Sequence, residues 1–183
     1  MEQAMYRLFV AIDLPDSIRA QLADLGRELD DARRVPPDQL HLTLRFIGGA
    51  DNECLQRIKD ALATVTSPPF SLALAGVGCF PSPGRPRVIW AGITADERLV
   101  LLQGAVEKAV AAAGIPPEER RFSPHITLAR LKDAESTGFT VFQAKQGGFR
   151  TEPFTVEAFH LYSSTLTADG ALHRREASYP LNG

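Results

Sequence analysis

The stretches HLTLRFIG (41–48) and SPHITLAR (123–130) share one frame, His-x-Thr-Leu, and that repetition organises the chain. Only 4 histidines occur in 183 residues, and His41 and His125 each open such a frame. On an extended strand, a His and a Thr two positions apart point to the same face. His41, Thr43 and Arg45 then share one face of the first motif strand, opposite Leu42, Leu44 and Phe46. On the second strand His125, Thr127 and Ala129 oppose Ile126 and Leu128, and strict alternation carries Arg130 onto that apolar face unless the strand bulges. Each strand sets an apolar back against a core and leaves a polar stripe free to line a cleft.

The surroundings of the two motifs repeat as well. YRLFVAID (6–13) reads as a strand, and Pro15 opens a helix over about 15–32 through Ile18, Leu22, Leu25 and Leu29. After Pro36-Pro37 comes the first motif strand, 40–47, which Gly48-Gly49 is expected to end. Asp51 caps a helix over Leu55, Ile58, Leu62 and Val65. Alternating apolar residues fill 70–80, and a loop rich in Pro and Gly spans 81–86. RVIWAGIT (87–94) is the next strand, followed by a helix over 97–113 that Gly114 stops. The second motif strand covers 124–131, with a short helix near 139–146 and strands at about 153–163 and 171–179 after it. Strand, helix and motif strand thus occur twice, as 6–47 and 87–131. PFSL (69–72) and PFTV (153–156) also follow their motif histidines at equal distance. A duplicated unit with pseudo-two-fold symmetry accounts for this, and it brings the two histidines to opposite sides of one groove. The expected fold is of the mixed α/β (α+β) class, with residues 1–183 forming one two-lobed domain.

Composition bounds the function. Apolar content of 44% and charged content of 23% are ordinary for a globular chain, and the net charge of −2 is not that of a protein built to wrap nucleic-acid backbone. Nucleic-acid contact should be local, at a chain end or a small ligand. Cys54 and Cys79 stand in no disulfide or zinc pattern and suit a reducing cytoplasm. The N-terminus lacks a signal-peptide pattern, and no apolar run approaches the ~18 residues of a membrane span. A cytoplasmic, membrane-free chain is expected, and nothing demands more than a monomer.

Histidine suits proton transfer near neutral pH because its unperturbed pKa is ~6.5. One imidazole can begin neutral as a base and the other charged as an acid. In-line displacement at phosphorus needs the attacking and leaving oxygens on opposite sides, which two facing histidines supply. Thr43 and Thr127 can donate to the non-bridging oxygens, where charge gathers in the transition state. A strained 2′,3′-cyclic phosphate fits such a site without a metal. No carboxylate or Cys stands at ligand spacing from His160 or His173, so no metal and no cofactor are expected; these two histidines read as surface or structural. A Gly-x-Ser-x-Gly elbow, a P-loop and a dinucleotide fingerprint are all lacking.

At this point the chain resembles the two-histidine phosphoesterase superfamily, and within it the RNA 2′,3′-cyclic phosphodiesterases, also called 2′-5′ RNA ligases. RLFVAIDLP (7–15), HLTLRFIG (41–48), RVIWAGI (87–93) and SPHITLAR (123–130) carry the resemblance, which runs from Arg7 to Pro180. It implies a bilobal fold with two antiparallel sheets facing a central cleft and helices outside. It also implies opening of an RNA-terminal 2′,3′-cyclic phosphate to a 2′-phosphate. His41 is then the proton donor to the leaving 3′ oxygen, His125 the acceptor from water, and Thr43 and Thr127 the phosphate ligands. The family's basic residue after the second motif matches Arg130, a further phosphate ligand. Phe9 and Trp90 are candidates for stacking on a base, and Arg85 and Arg87 for meeting RNA backbone. The expected partners are RNA 3′ ends or small nucleotides bearing a 2′,3′-cyclic phosphate. Two alternatives share these residues: ligation of tRNA halves through a 2′-5′ linkage, and a non-catalytic nucleotide-binding module.

Overall fold

The computed structural model describes residues 5–30, 32–81, 86–132 and 137–183. In chain order, β1 (Tyr6–Asp13) leads into α1 (Asp16–Gly26), β2 (Ala32–Arg34), a 3-10 turn at Pro37–Gln39, β3 (His41–Ala50) and α2 (Asn52–Leu62). Then come β4 (Phe70–Leu72), β5 (Leu74–Phe80), β6 (Val88–Ile93), α3 (Glu97–Ala112) and β7 (His125–Leu131). The chain closes with α4 (Thr137–Gln146), β8 (Phe154–Val156), β9 (Ala158–Thr167) and β10 (Gly170–Pro180).

These strands build two four-stranded antiparallel sheets, in the orders β10-β9-β1-β3 and β2-β7-β6-β5. Each motif strand lies beside the strand that opened its own half, β3 on β1 and β7 on β6. The duplication is visible in a third, two-stranded sheet. There PFSL and PFTV, noted in the sequence only for their likeness, pair with each other as Phe70↔Val156, Ser71↔Thr155 and Leu72↔Phe154. A pairing of two equivalent segments about their own midpoint is what a two-fold relation produces.

The helices form where the sequence places their signals. Asp51 accepts from Cys54 N at 2.8 Å to cap α2, and Asp96 accepts from Arg98 N at 2.8 Å to cap α3. Gly114, at φ +93°, takes the left-handed conformation that ends α3. Ile18, Leu22 and Leu25 of α1, Leu55, Ile58 and Leu62 of α2, and Leu99, Leu102 and Val106 of α3 are all buried in one apolar cluster with the sheets.

Three expectations need correction, one being the single strand at 153–163, which divides at Glu157 into β8 and β9 in different sheets. The first helix stops at Gly26 rather than near residue 32, and Ala32–Arg34 becomes an edge strand on β7. Gly26 is a poor helix former, and Leu29 stays buried at 5% exposure through a turn, donating from its N–H to Gly26 O at 3.1 Å. The short Ala-Arg-Arg strand has no periodicity to announce it and exists because β7 offers an open edge. Gly48-Gly49, in turn, does not end β3. The strand runs on to Ala50, with Ile47 left unpaired between Leu8↔Gly48 and Phe9↔Phe46 and with Gly48 at φ +90°. The extra residue is Ile47, beside Gly48, so the strand bulges there and the glycines do not end it.

Candidate active site

The two motif strands have the same burial profile residue by residue. In HLTLRFI and in HITLARL, the second, fourth and fifth residues are buried and the sixth is exposed. Strict alternation would bury the second, fourth and sixth. The difference is one extra residue at the same place in each strand. Leu44 is skipped between Ala11↔Thr43 and Val10↔Arg45, and Leu128 is skipped between Trp90↔Thr127 and Ile89↔Ala129. Each skip is a β-bulge that reverses the faces beyond it.

The bulges redistribute the residues assigned from alternation. Arg45 leaves the face of His41 and Thr43 and turns inward, 6% exposed, while Phe46 emerges with 50% exposure. On β7, Ala129 turns inward and Arg130 emerges exposed on the face of His125 and Thr127. Arg130 therefore reaches the motif face by the bulge that the alternation argument required. Phe46 and Arg130 are pseudo-equivalent, so one side of the cleft presents a ring and the other a cation.

Buried Arg45 forms an ion pair and two backbone hydrogen bonds, although its Nε and Glu107 Oε2 approach without hydrogen-bond alignment. Its Nε lies 2.7 Å from Glu107 Oε2 of α3, its Nη1 donates to Phe46 O at 2.7 Å, and its Nη2 donates to Pro116 O at 2.5 Å. Glu107 Oε1 also accepts from Glu118 N at 2.9 Å. The first motif strand is thereby tied to the 116–118 segment that leads toward His125.

Both imidazoles are set alike. His41 Nδ1 lies 2.6 Å from Gln39 O, and His125 Nδ1 lies 2.7 Å from Ser123 O. A carbonyl only accepts, so each Nδ1 carries a proton and each neutral ring keeps its lone pair on Nε2. In His41 that Nε2 stands 3.0 Å from Thr43 Oγ1, whose hydroxyl donates to it. Burial lowers the His41 pKa below the usual value near 6.5; the Gln39 carbonyl opposes the fall, nearby His173 adds to it, and Asp13 opposes it.

Aromatic rings hold each histidine. Phe9 packs against His41 at 4.9 Å between centroids, against Tyr162 at 5.4 Å and against Phe46 at 6.1 Å. Phe9 is only 3% exposed, so the open ring on this side is Phe46 rather than Phe9, the expected stacking residue. His125 meets Phe80 edge-on at 4.9 Å and Trp90 at 6.3 Å. The Trp90 indole lies across Gly78, where a Cβ would come within 2.3 Å of the ring, so glycine on β5 makes room for it. Arg87 is exposed beside β6. Arg85 lies outside the described residues.

Several residues at the site carry no signal in the sequence. His173 of β10 stands edge-on to His41 at 5.5 Å and to Phe9 at 5.0 Å, so it belongs to the cleft and not to a remote surface. A cavity of about 130 Å³ opens here, lined by His41, His173, Tyr162, Asp13, Asp38 and Arg19 among others. Asp13, opposite His41 in the β1–β3 register, accepts from Tyr162 Oη at 2.6 Å and from Arg175. These side chains come from β10, β9, α1, the end of β1 and the 3-10 turn, and only tertiary packing brings them to the motif. His160, by contrast, is a buried structural residue as expected: its Nδ1 is 2.9 Å from Ser178 Oγ and its Nε2 is 3.5 Å from Asp13. Among the described residues no three His, Cys, Asp or Glu side chains group as a metal site, and no helix is long and apolar enough to cross a membrane.

The family model described as LigT like Phosphoesterase matches residues 12–90 and 92–173, which takes in both motif strands. The chain belongs to the LigT-like phosphoesterase family. Among LigT-like relatives, one named RNA 2′,3′-cyclic phosphodiesterase from Thermus thermophilus is 40% identical over 188 residues, covering 97% of this chain and 91% of that protein. Another of the same name, from Archaeoglobus fulgidus, is 34% identical over 174 residues, covering 92% and 96%. The crystal structure of E. coli LigT complexed with 3′-AMP superposes with a TM-score of 0.83 at 29% identity, covering 98% of this chain and 100% of that one.

Proposed function

We propose that this LigT-like chain is an RNA 2′,3′-cyclic phosphodiesterase that opens the terminal ring to a 2′-phosphate, working without a metal, as one two-lobed monomeric unit in the cytoplasm. The observation that carries the reading is the matched pair of imidazoles, each fixed through Nδ1 to a backbone carbonyl so that Nε2 is the reactive nitrogen. Relatives named for this activity and sharing most of the chain's length support it.

In the reaction His125 Nε2 takes a proton from water as the water oxygen bonds to phosphorus. Thr43 and Thr127 hold the non-bridging oxygens with Arg130 beside them. The bond from phosphorus to the 3′ oxygen breaks as His41 Nε2 gives that oxygen a proton. His41 enters this step protonated because the bound phosphate, an anion next to the ring, favours the charged form that burial alone disfavours. When Nε2 gains its proton, Thr43 becomes the acceptor there and its own hydroxyl proton turns to the phosphate.

The test is hydrolysis of a 2′,3′-cyclic mononucleotide in EDTA by the native chain and by His41→Ala and His125→Ala. General acid–base groups contribute about 10²–10⁴-fold each, so each variant should lose at least about 100-fold in kcat. Native-level turnover in either variant removes the proposal.

A further inference from the structure

Arg33 is an exposed residue on the short edge strand that the sequence did not announce, and its Cα partner across the ladder is Arg130. Residues directly opposite on antiparallel strands send their side chains to the same face. Arg33 therefore joins Arg130 on the face of His125 and Thr127. One ladder row runs Arg33, Arg130, Val88, Phe80, and two residues further along β6 lies the row of Trp90 and Thr127. At about 3.3 Å per strand residue the arginine row stands about 6.6 Å beyond the threonine. That is comparable to the step between successive phosphates along a nucleic-acid strand.

Like charges placed directly opposite repel. Among the described residues, neither Arg33 nor Arg130 makes an ion pair or a side-chain hydrogen bond, although other arginines of the chain do. Nor does Arg33 trail into solvent. A Cβ built on Gly170, at the turn between β9 and β10, would come within 3.0 Å of Arg33 Nη2. The guanidinium thus reaches from one sheet to the β9–β10 hairpin of the other, and among the described residues neighbouring Asp169 forms no ion pair with it. An anion lying between the two guanidiniums would cancel their repulsion and take charge-assisted hydrogen bonds from both.

We propose that Arg33, opposite Arg130, forms a second anion site that binds the phosphodiester immediately 5′ of the terminal nucleotide, so that the enzyme prefers RNA ends to free cyclic mononucleotides. This rests on the function proposed above. A cyclic mononucleotide has no such phosphodiester, whereas a dinucleotide ending in a 2′,3′-cyclic phosphate has one.

The experiment measures kcat/KM for both substrates in the native chain, Arg33→Gln and Arg33→Lys. Loss of one charge-assisted contact should lower the dinucleotide-to-mononucleotide ratio about tenfold in Arg33→Gln, with partial recovery in Arg33→Lys. The slope of log kcat/KM against log salt for the dinucleotide should shrink by about 0.7, the increment for one single-strand phosphate contact. Thermal unfolding separates a structural role: removing one of two repelling charges should leave Tm level or raise it. An unchanged ratio, or equal loss on both substrates with a fallen Tm, overturns the site. If the native chain hydrolyses neither substrate, the proposed function falls instead. The site is then judged by binding of the dinucleotide 2′-phosphate, where an equal Kd in native and Arg33→Gln chains overturns it.

Discussion

At the residue scale, the two motif histidines are alike in tautomer and unlike in surroundings. Each donates from Nδ1 to the carbonyl two residues before it, just ahead of its strand, an arrangement that the His-x-Thr spacing does not encode. His41 sits among Phe9, His173 and Tyr162, and burial lowers its pKa. If His41 is the acid, kcat/KM falls as pH rises through its free-enzyme pKa, which lies below 6.5. The bound phosphate raises that pKa, so the alkaline limb of kcat should sit at higher pH than the alkaline limb of kcat/KM. Full pH profiles of both constants on a cyclic mononucleotide check this. Coincident limbs, or a reversed order, would remove His41 from the donor role.

At the scale of elements, the motif strands are legible in the sequence and their bulges are not. Alternation located His41, Thr43, His125 and Thr127 on one face, because all four precede the bulges. It misplaced Arg45 and Phe46 and left Arg130 conditional, because a bulge depends on how a strand meets its neighbour rather than on its own residues. β2 escaped notice for a related reason: three residues carry too little pattern, and only the edge of β7 makes them a strand. His173 and Tyr162 were out of reach because β10 and β9 come to the motif through sheet order. The bulge on β3 is held from behind by Arg45, whose side chain is 6% exposed and paired with Glu107 at 2.7 Å. Breaking a buried pair strands its partner, at a cost of about 3–5 kcal/mol. Arg45→Ala should destabilise the fold toward the lower end of that range, since Glu107 keeps some solvent, and a urea melt measures it. A loss under about 1 kcal/mol would show that the bulge stands without this anchor.

At the scale of the whole molecule, the duplication explains why one short frame could decide so much. Equivalent strands sit in equivalent sheets, and the β4–β8 pair joins the two halves through their matching Pro-Phe segments. The halves differ at the motifs: Arg130 stands where Phe46 does, and Gly92 pairs with His125 where Asp13 pairs with His41. Three of the four histidines, His41, His160 and His173, have pKa values lowered chiefly by burial. Below about pH 6.5 the unfolded chain therefore binds more protons than the folded one, and stability falls with falling pH. Tm should decline between pH 7 and pH 5, and less steeply in His160→Gln; a flat native profile would contradict the burial assigned to these rings.

The most direct measurement of the central claim is product analysis on a short RNA ending in a 2′,3′-cyclic phosphate, incubated in EDTA with the native chain. If His41 protonates the 3′ oxygen and His125 activates water, the 2′-phosphate should form alone, without added metal. A 3′-phosphate product, or turnover that returns only when a divalent cation is restored, would contradict the account.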